Sequence, residues 1–268
     1  MIYRKISNFD PEQICDSGQC FRWNKEGDGS VSLIAFGKKL IIKKEEEGFS
    51  FSATDKEWDE IWADYFDLDT DYGCIGDKIE RFGDSHLKEC YKAGSGIRIL
   101  KQDLWETVVS FIISQNNNIP RIRGSIEKLC SYCNLPAEGG GFRFPEPSEI
   151  PLEVFDDKTM GFGYRAEYLK ELCEFTLENP NWLDGLEKMD YNIALGALLE
   201  RKGIGKKVAN CICLFGLHMI GAFPVDTHVK QLMDEYYPKG LDLTPYEGCG
   251  GVIQQYLFYA ELKRKDKQ

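Results

Sequence analysis

The chain contains no apolar run of eighteen residues, so nothing in it reads as a membrane-spanning helix. It also lacks the charged start and short apolar stretch of a secretory signal peptide. Among its ten cysteines, Cys130 and Cys133 have no second pair at zinc spacing, and on a predicted helix they read as free thiols. Only Cys249 falls in the last fifty residues, which leaves no four-cysteine run for an iron–sulfur cluster there. A phosphate-binding loop is missing too: Glu200 stands where its first glycine belongs, and Lys207 where Ser or Thr belongs. There is no internal repeat and no low-complexity segment. These absences predict a soluble protein of a reducing compartment, with no membrane partner. The cytosol is the simplest placement, beside the nucleoid in a bacterium, with the nucleus as the eukaryotic equivalent.

An excess of basic charge is also missing. Lys and Arg number 33 against 44 Asp and Glu, for a net charge of -11, which argues against nucleic acid as a partner. The distribution weakens that objection. Residues 55–71 carry eight acids and one lysine, and Glu45, Glu46 and Glu47 add three more, all in the N-terminal half. Arg121, Arg123, Arg165, Arg201, Lys202, Lys206 and Lys207 lie further along, so a basic face on an acidic body is expected.

What is present suggests an α+β fold. With 268 residues, 43% of them apolar, the chain can bury one large core or two. Residues 19–25, 31–36, 39–43 and 48–53 read as short strands of an antiparallel meander. From residue 103 onward the pattern is nearly all helical, with Asp103 and Asp190 as N-caps and a loop at Glu138-Gly139-Gly140-Gly141. The predicted domains are a sheet domain over 1–98 and a helical domain over 99–268, the last helix being free to pack back on the first.

Lys207 is the most informative residue. The apolar pattern Ile193, Leu195, Leu198, Leu199 resumes as Val208, Ala209, Ile212, Phe215, so two helices flank the turn that contains Gly203 and Gly205. Such a helix-hairpin-helix aims backbone amides and a positive helix end at a phosphate, gripping nucleic acid without reading it. Glycine turns and lysine pairs are common, however, and alone do not decide for DNA binding. Further on, Pro224-Val225-Asp226 opens another helix, where Asp226 fits an N-cap at least as well as a catalytic group. An uncharged amine at Lys207 could attack a sugar C1′ and form a Schiff base; the helix end, Lys206 and a dry pocket disfavour the ammonium form. Asp226 should then sit slightly apart and stabilise the cationic sugar.

Hairpin, lysine and Pro-Val-Asp together resemble the helix-hairpin-helix superfamily of DNA glycosylases, in which the lysine marks bifunctional enzymes. Three more segments narrow the resemblance: Ser114-Gln115-Asn116-Asn117-Asn118 between helices, Met160-Gly161-Phe162-Gly163-Tyr164-Arg165, and Gly18-Gln19-Cys20-Phe21-Arg22-Trp23. In this order they are similar to 8-oxoguanine DNA glycosylases from about residue 3 to about residue 264.

The resemblance implies that Asn116 fills the space left by a flipped base, Tyr164 wedges the duplex, and Arg121 and Arg165 read the opposite cytosine. Gly18 would recognise the oxidised base through its backbone carbonyl, Gln254 would bond its Watson–Crick edge, and Phe258 and Cys211 would sandwich the ring. His228 would lie near a phosphate. Without the resemblance, Gly18 reads as a turn and Phe258 and Cys211 as core, and His228 reads as readily as a surface or capping residue. The asparagines then read as a turn or, in better accord with their chemistry, as a polar wedge that fills the hole of a flipped base. His86 and His218 carry no signal. Cys20, Asn210 and Glu261 depart from the family pattern of Ser, Asp and Asp, which is expected to alter rates through pocket orientation.

The expected function is therefore a DNA glycosylase and AP lyase that removes 8-oxoguanine opposite cytosine from duplex DNA, working as a monomer. No cofactor is called for; a monovalent or divalent cation at the hairpin is left open. The alternatives are a non-catalytic DNA-binding protein and a glycosylase for alkylated purines.

Overall fold

The computed structural model describes residues 1–265. Five strands form one antiparallel sheet: β1 (Ile2–Arg4), β2 (Trp23–Lys25), β3 (Val31–Ala35), β4 (Lys38–Lys44) and β5 (Phe49–Phe51), in the order β1-β5-β4-β3-β2. The last four make the expected meander. β1 pairs Ile2 with Phe51 at the edge; three residues are too few for an alternation to show. Register Val31↔Ile42 and Leu33↔Leu40 puts one apolar row inside, where it meets Phe9, Ile14, Trp58, Trp62 and Phe66. The predicted first strand begins four residues late. Residues 17–22 are instead a buried loop, fixed by Gln19, whose amide donates to the Arg98 carbonyl at 2.9 Å and accepts from the Leu100 N–H at 2.9 Å.

Helices follow in the order α1 (Pro11–Asp16), α2 (Asp55–Glu57) and α3 (Ala63–Tyr65) flanking a π-turn at Trp58–Trp62, α4 (Tyr72–Phe82), α5 (Ser85–Gly94), α6 (Leu104–Ile113) and α7 (Ile119–Cys133). Then come α8 (Arg165–Glu178), α9 (Trp182–Glu187), α10 (Tyr191–Leu199), α11 (Lys206–Phe215), α12 (Thr227–Tyr236) and α13 (Gly250–Lys265). Two hydrophobic cores result, and along the chain they divide near residue 70. The sheet core ends with Phe66, taking Leu100 back from later in the chain, whereas α4 and α5 bury Tyr72, Ile75, Ile79, Leu87 and Cys90 in the helical core. Helix α13 packs along α5, and Lys263 near its end pairs with Asp16 of α1 at 2.6 Å.

Asp103 caps α6 by accepting the Glu106 N–H at 2.7 Å. Asp190 holds the N-cap position of α10, but its carboxylate accepts no capping bond. Cys130 and Cys133 lie on α7 as free thiols. No described helix is long and apolar enough to cross a membrane.

Candidate active site

A cleft of about 1100 Å³ opens where the α6–α7 loop, the α10–α11 hairpin, the start of α12 and the Gly18 loop converge on α13. Among the described residues it contains three lysines, Lys206, Lys207 and Lys230, and a single carboxylate, Asp226. On a chain of net charge -11 this is a local reversal of sign. The acidic stretches are spent elsewhere: Glu47 pairs with Lys5, Asp55 with Arg4 and Asp64 with Lys101, all around the sheet core.

The expected basic cluster is smaller than its sequence. Lys202 pairs with Glu167 at 2.6 Å and Glu171 at 3.5 Å, Arg201 lies over the Phe175 ring, and Arg123 donates to the Cys15 carbonyl. Arg121 is exposed on the first turn of α7, outside the cleft lining. Lys230, which sequence reading passed over, joins the cleft because α12 starts at its edge.

At the floor lies a cavity of about 40 Å³ bordered by Gly18, Lys207, Cys211, Asp226, Gln254 and Phe258, among others. Residues from three distant parts of the sequence thus meet here. Lys207 sits in the first turn of α11, behind Gly205 at the N-cap, with Nζ 5.6 Å from the Phe111 ring centre. Cys211 is one turn further on; burial pushes its thiol up to about 11, while the nearby Lys207 charge opposes that rise. Asp226 caps α12 by accepting the Val229 N–H at 2.8 Å, and it forms no ion pair with Lys207 among the described residues. Capping and cavity lining coexist in one carboxylate.

Gly203 takes φ +80°, and a Cβ there would fall 2.4 Å from the Tyr168 ring, so both backbone angle and packing require glycine. His228 lines the cleft and accepts a hydrogen bond at Nδ1 from Lys265 at 2.9 Å.

The asparagine run divides its labour. Asn117 Nδ2 donates to the Ile113 carbonyl that ends α6, and Asn118 Oδ1 accepts the Arg121 N–H that begins α7. Asn116 alone is left-handed, at φ +46°, and exposed, its Nδ2 3.2 Å from the Tyr164 hydroxyl. Tyr164 is 50% exposed.

Arg165 is turned inward. It is 6% exposed and donates inward, from Nε to the Gln115 carbonyl at 2.7 Å, from Nη1 to Phe162 O at 3.1 Å and from Nη2 to Asn116 O at 3.0 Å. It braces the wedge loop instead of facing outward. The departures also find places: Asn210 lines neither cavity but ties α11 to α10 through the Tyr191 hydroxyl at 2.7 Å, and Glu261 is bound by Arg264 and Lys265.

Besides Lys230, two more residues escaped the sequence reading. Gln115 Nε2 donates to the Gly203 carbonyl at 2.9 Å, linking the wedge loop to the hairpin across 88 positions. Gln255 lines the floor cavity beside Gln254. No periodicity marks either one, because each acts through a partner that only the fold supplies.

Comparison with known proteins agrees with this geometry. The model for the N-terminal domain of 8-oxoguanine DNA glycosylase matches residues 1–108, and that for HhH-GPD superfamily base excision DNA repair proteins matches residues 109–241. The chain is 30% identical to the N-glycosylase/DNA lyase OGG1 of Arabidopsis thaliana, over 92% of this chain and 75% of that one. The chain belongs to the 8-oxoguanine DNA glycosylase family. It is 35% identical to the N-glycosylase/DNA lyase of Saccharomyces cerevisiae, over 84% of this chain and 67% of that one. It also superposes on the Clostridium acetobutylicum 8-oxoguanine glycosylase/lyase, solved with double-stranded DNA containing cytosine opposite 8-oxoguanine. The TM-score is 0.89 at 32% identity, covering 98% of this chain and 94% of the other. As a member of the 8-oxoguanine DNA glycosylase family, the chain is a base-excision repair enzyme, a DNA N-glycosylase with lyase activity.

Proposed function

We propose that this enzyme excises 8-oxoguanine opposite cytosine, with Lys207 as nucleophile. The observation that carries the reading is the meeting of Lys207, Asp226, Gly18, Cys211, Gln254 and Phe258 around one cavity at the floor of a lysine-rich cleft. The three lysines and the hairpin amides hold the phosphates of the damaged strand. The target nucleotide leaves the stack, Asn116 takes its place and Tyr164 wedges the step. Arg121 and Arg165 donate to the orphaned cytosine, whose O2 and N3 accept; Arg165 must first release the carbonyls it braces.

In the cavity the base lies between Phe258 and the Cys211 thiol. The Gly18 carbonyl accepts from N7–H, a donor that guanine lacks, so guanine would leave two acceptors facing each other in a dry site. The Lys207 amine bonds to C1′ as the bond from C1′ to the base nitrogen breaks, and the departing base takes up a proton. Asp226, apart from the lysine, stabilises the positive charge that develops on the sugar. The sugar ring then opens to a protonated imine, whose acidified C2′ loses a proton so that the 3′ phosphate leaves by β-elimination. One chain suffices for all of these groups, and the enzyme acts as a monomer without a cofactor.

Borohydride trapping on duplex containing 8-oxoguanine opposite cytosine tests this reading. Wild type should yield a covalent adduct that Lys207→Gln abolishes. Absence of both adduct and base release from wild type would overturn it, and preferential release of 3-methyladenine from an otherwise identical duplex would replace it with an alkylated-purine activity.

A further inference from the structure

Gln254 and Gln255 are consecutive residues of α13, 4% and 2% exposed, and both line the floor cavity. Burying two uncharged amides side by side is costly unless their hydrogen bonds are met. Only one bond is met between them: Gln255 Nε2 donates to Gln254 Oε1 at 3.1 Å. Gln255 Oε1 is buried without any partner among the described residues. An orphaned acceptor at the wall of a substrate cavity requires a donor, and the substrate is the group that enters.

The pairing also fixes the orientation of Gln254. With its Oε1 turned toward Gln255 Nε2, its own NH2 remains free to donate, and Oε1 retains a second lone pair. Together the two side chains present one donor, Gln254 Nε2, and two acceptors, Gln254 Oε1 and Gln255 Oε1. The Watson–Crick edge of a guanine-type base is the complement: one acceptor at O6 and two donors at N1–H and the exocyclic N2 amino group. An adenine-type edge has a donor at the 6-position, an acceptor at N1 and no 2-amino group, and would leave both protein acceptors unmet.

We infer that Gln255 is a second reader of the base, accepting from the exocyclic 2-amino group of 8-oxoguanine while holding Gln254 in the orientation that reads O6 and N1–H. This rests on the assignment of the floor cavity to the flipped base. It predicts that specificity depends on the 2-amino group as well as on the oxidised edge at N7.

The test is a cycle between side chain and substrate atom. Single-turnover excision is measured on duplexes carrying 8-oxoguanine or 8-oxohypoxanthine, which differs only in lacking the 2-amino group, opposite cytosine. Wild type, Gln255→Met and Gln255→Leu are compared; both substitutions are apolar and of similar length, and suit a buried site. Wild type should favour 8-oxoguanine by about tenfold, the value of one buried acceptor left unmet, and that preference should fall by most of this factor in the variants. A preference that falls by less than about threefold in whichever variant folds, or a wild type indifferent to the 2-amino group, overturns the inference. If wild type releases neither base, it is the assignment of the cavity that fails. A purely packing role for Gln255 would slow both substrates equally and leave the preference intact.

Discussion

Gly18 and Phe258 both border the floor cavity and lie against each other: a Cβ built on Gly18 would lie 3.1 Å from the Phe258 ring. Gly18 also sits at φ +74°, which side chains disfavour. Gly18→Ala should therefore narrow the entry for the base and displace Phe258. The expected result is a fall in single-turnover excision on the order of 100-fold, as for a misplaced reacting group, with duplex affinity nearly unchanged. Retained excision in a folded Gly18→Ala protein would contradict recognition of the base at the Gly18 loop.

Asp226 both caps α12 and borders the cavity, and the two roles separate by substitution. Asparagine caps about as well as aspartate, so Asp226→Asn should keep the melting temperature while lowering excision roughly 100- to 1000-fold. Asp226→Ala should lose the activity and, in addition, about 1 kcal/mol of stability. Equal thermal losses in the two variants, with activity spared in Asp226→Asn, would reduce Asp226 to a cap.

Arg165 satisfies the carbonyls of Gln115, Asn116 and Phe162. Arg165→Ala should destabilise the enzyme by about 2–3 kcal/mol by stranding partly buried acceptors. Hydrogen exchange should accelerate over residues 114–118, and the preference for cytosine over adenine opposite the lesion should shrink. Unchanged exchange in that loop would show that the brace is dispensable.

Burial lifts the Glu106 carboxyl to about 7, against the opposing charge of Arg22. An unfolded glutamate titrates near about 4.3, so between these values the native state holds more protons than the unfolded one and stability falls as pH rises. Glu106→Gln should be more stable than wild type by about 3–4 kcal/mol at pH 8, with the gain vanishing toward pH 4. Thermal unfolding across that range checks it; a gap independent of pH would refute the linkage.

Three lysines and a set of hairpin amides are a modest grip on a polyanion. Affinity for undamaged duplex should fall with salt at a log–log slope of about -3 to -5, since each neutralised phosphate contributes about -0.9. A slope near about -10 would mean that cationic surface outside the cleft dominates binding.

Much of this site was readable in the sequence because its chemistry is carried by short motifs at turns. Gly18, Asn116, Gly203 and Lys207 each sit where a turn or helix start imposes a residue type, and such constraints are local. The sheet was legible as alternation, except for β1, which is too short to alternate. The helices between residues 55 and 94 were missed because their acids and aromatics resemble a charged loop, and Tyr72, Ile75 and Ile79 find their core only after α13 closes over α5. The inward turn of Arg165 and the roles of Gln115 and Gln255 were not legible either. Each depends on a polar atom distant in sequence or, for Gln255, on an unmet one inside a cavity.

The size of the floor cavity has a bearing on inhibitor discovery. At about 40 Å³ it admits about three waters, far less than a bicyclic base, so the free enzyme offers little for a compound to fill. Library members selected against the DNA-free enzyme will settle in the broad cleft above, where they compete with the phosphate backbone and lose potency as DNA concentration rises. Compounds that occupy the floor must widen it, as the flipped base itself must.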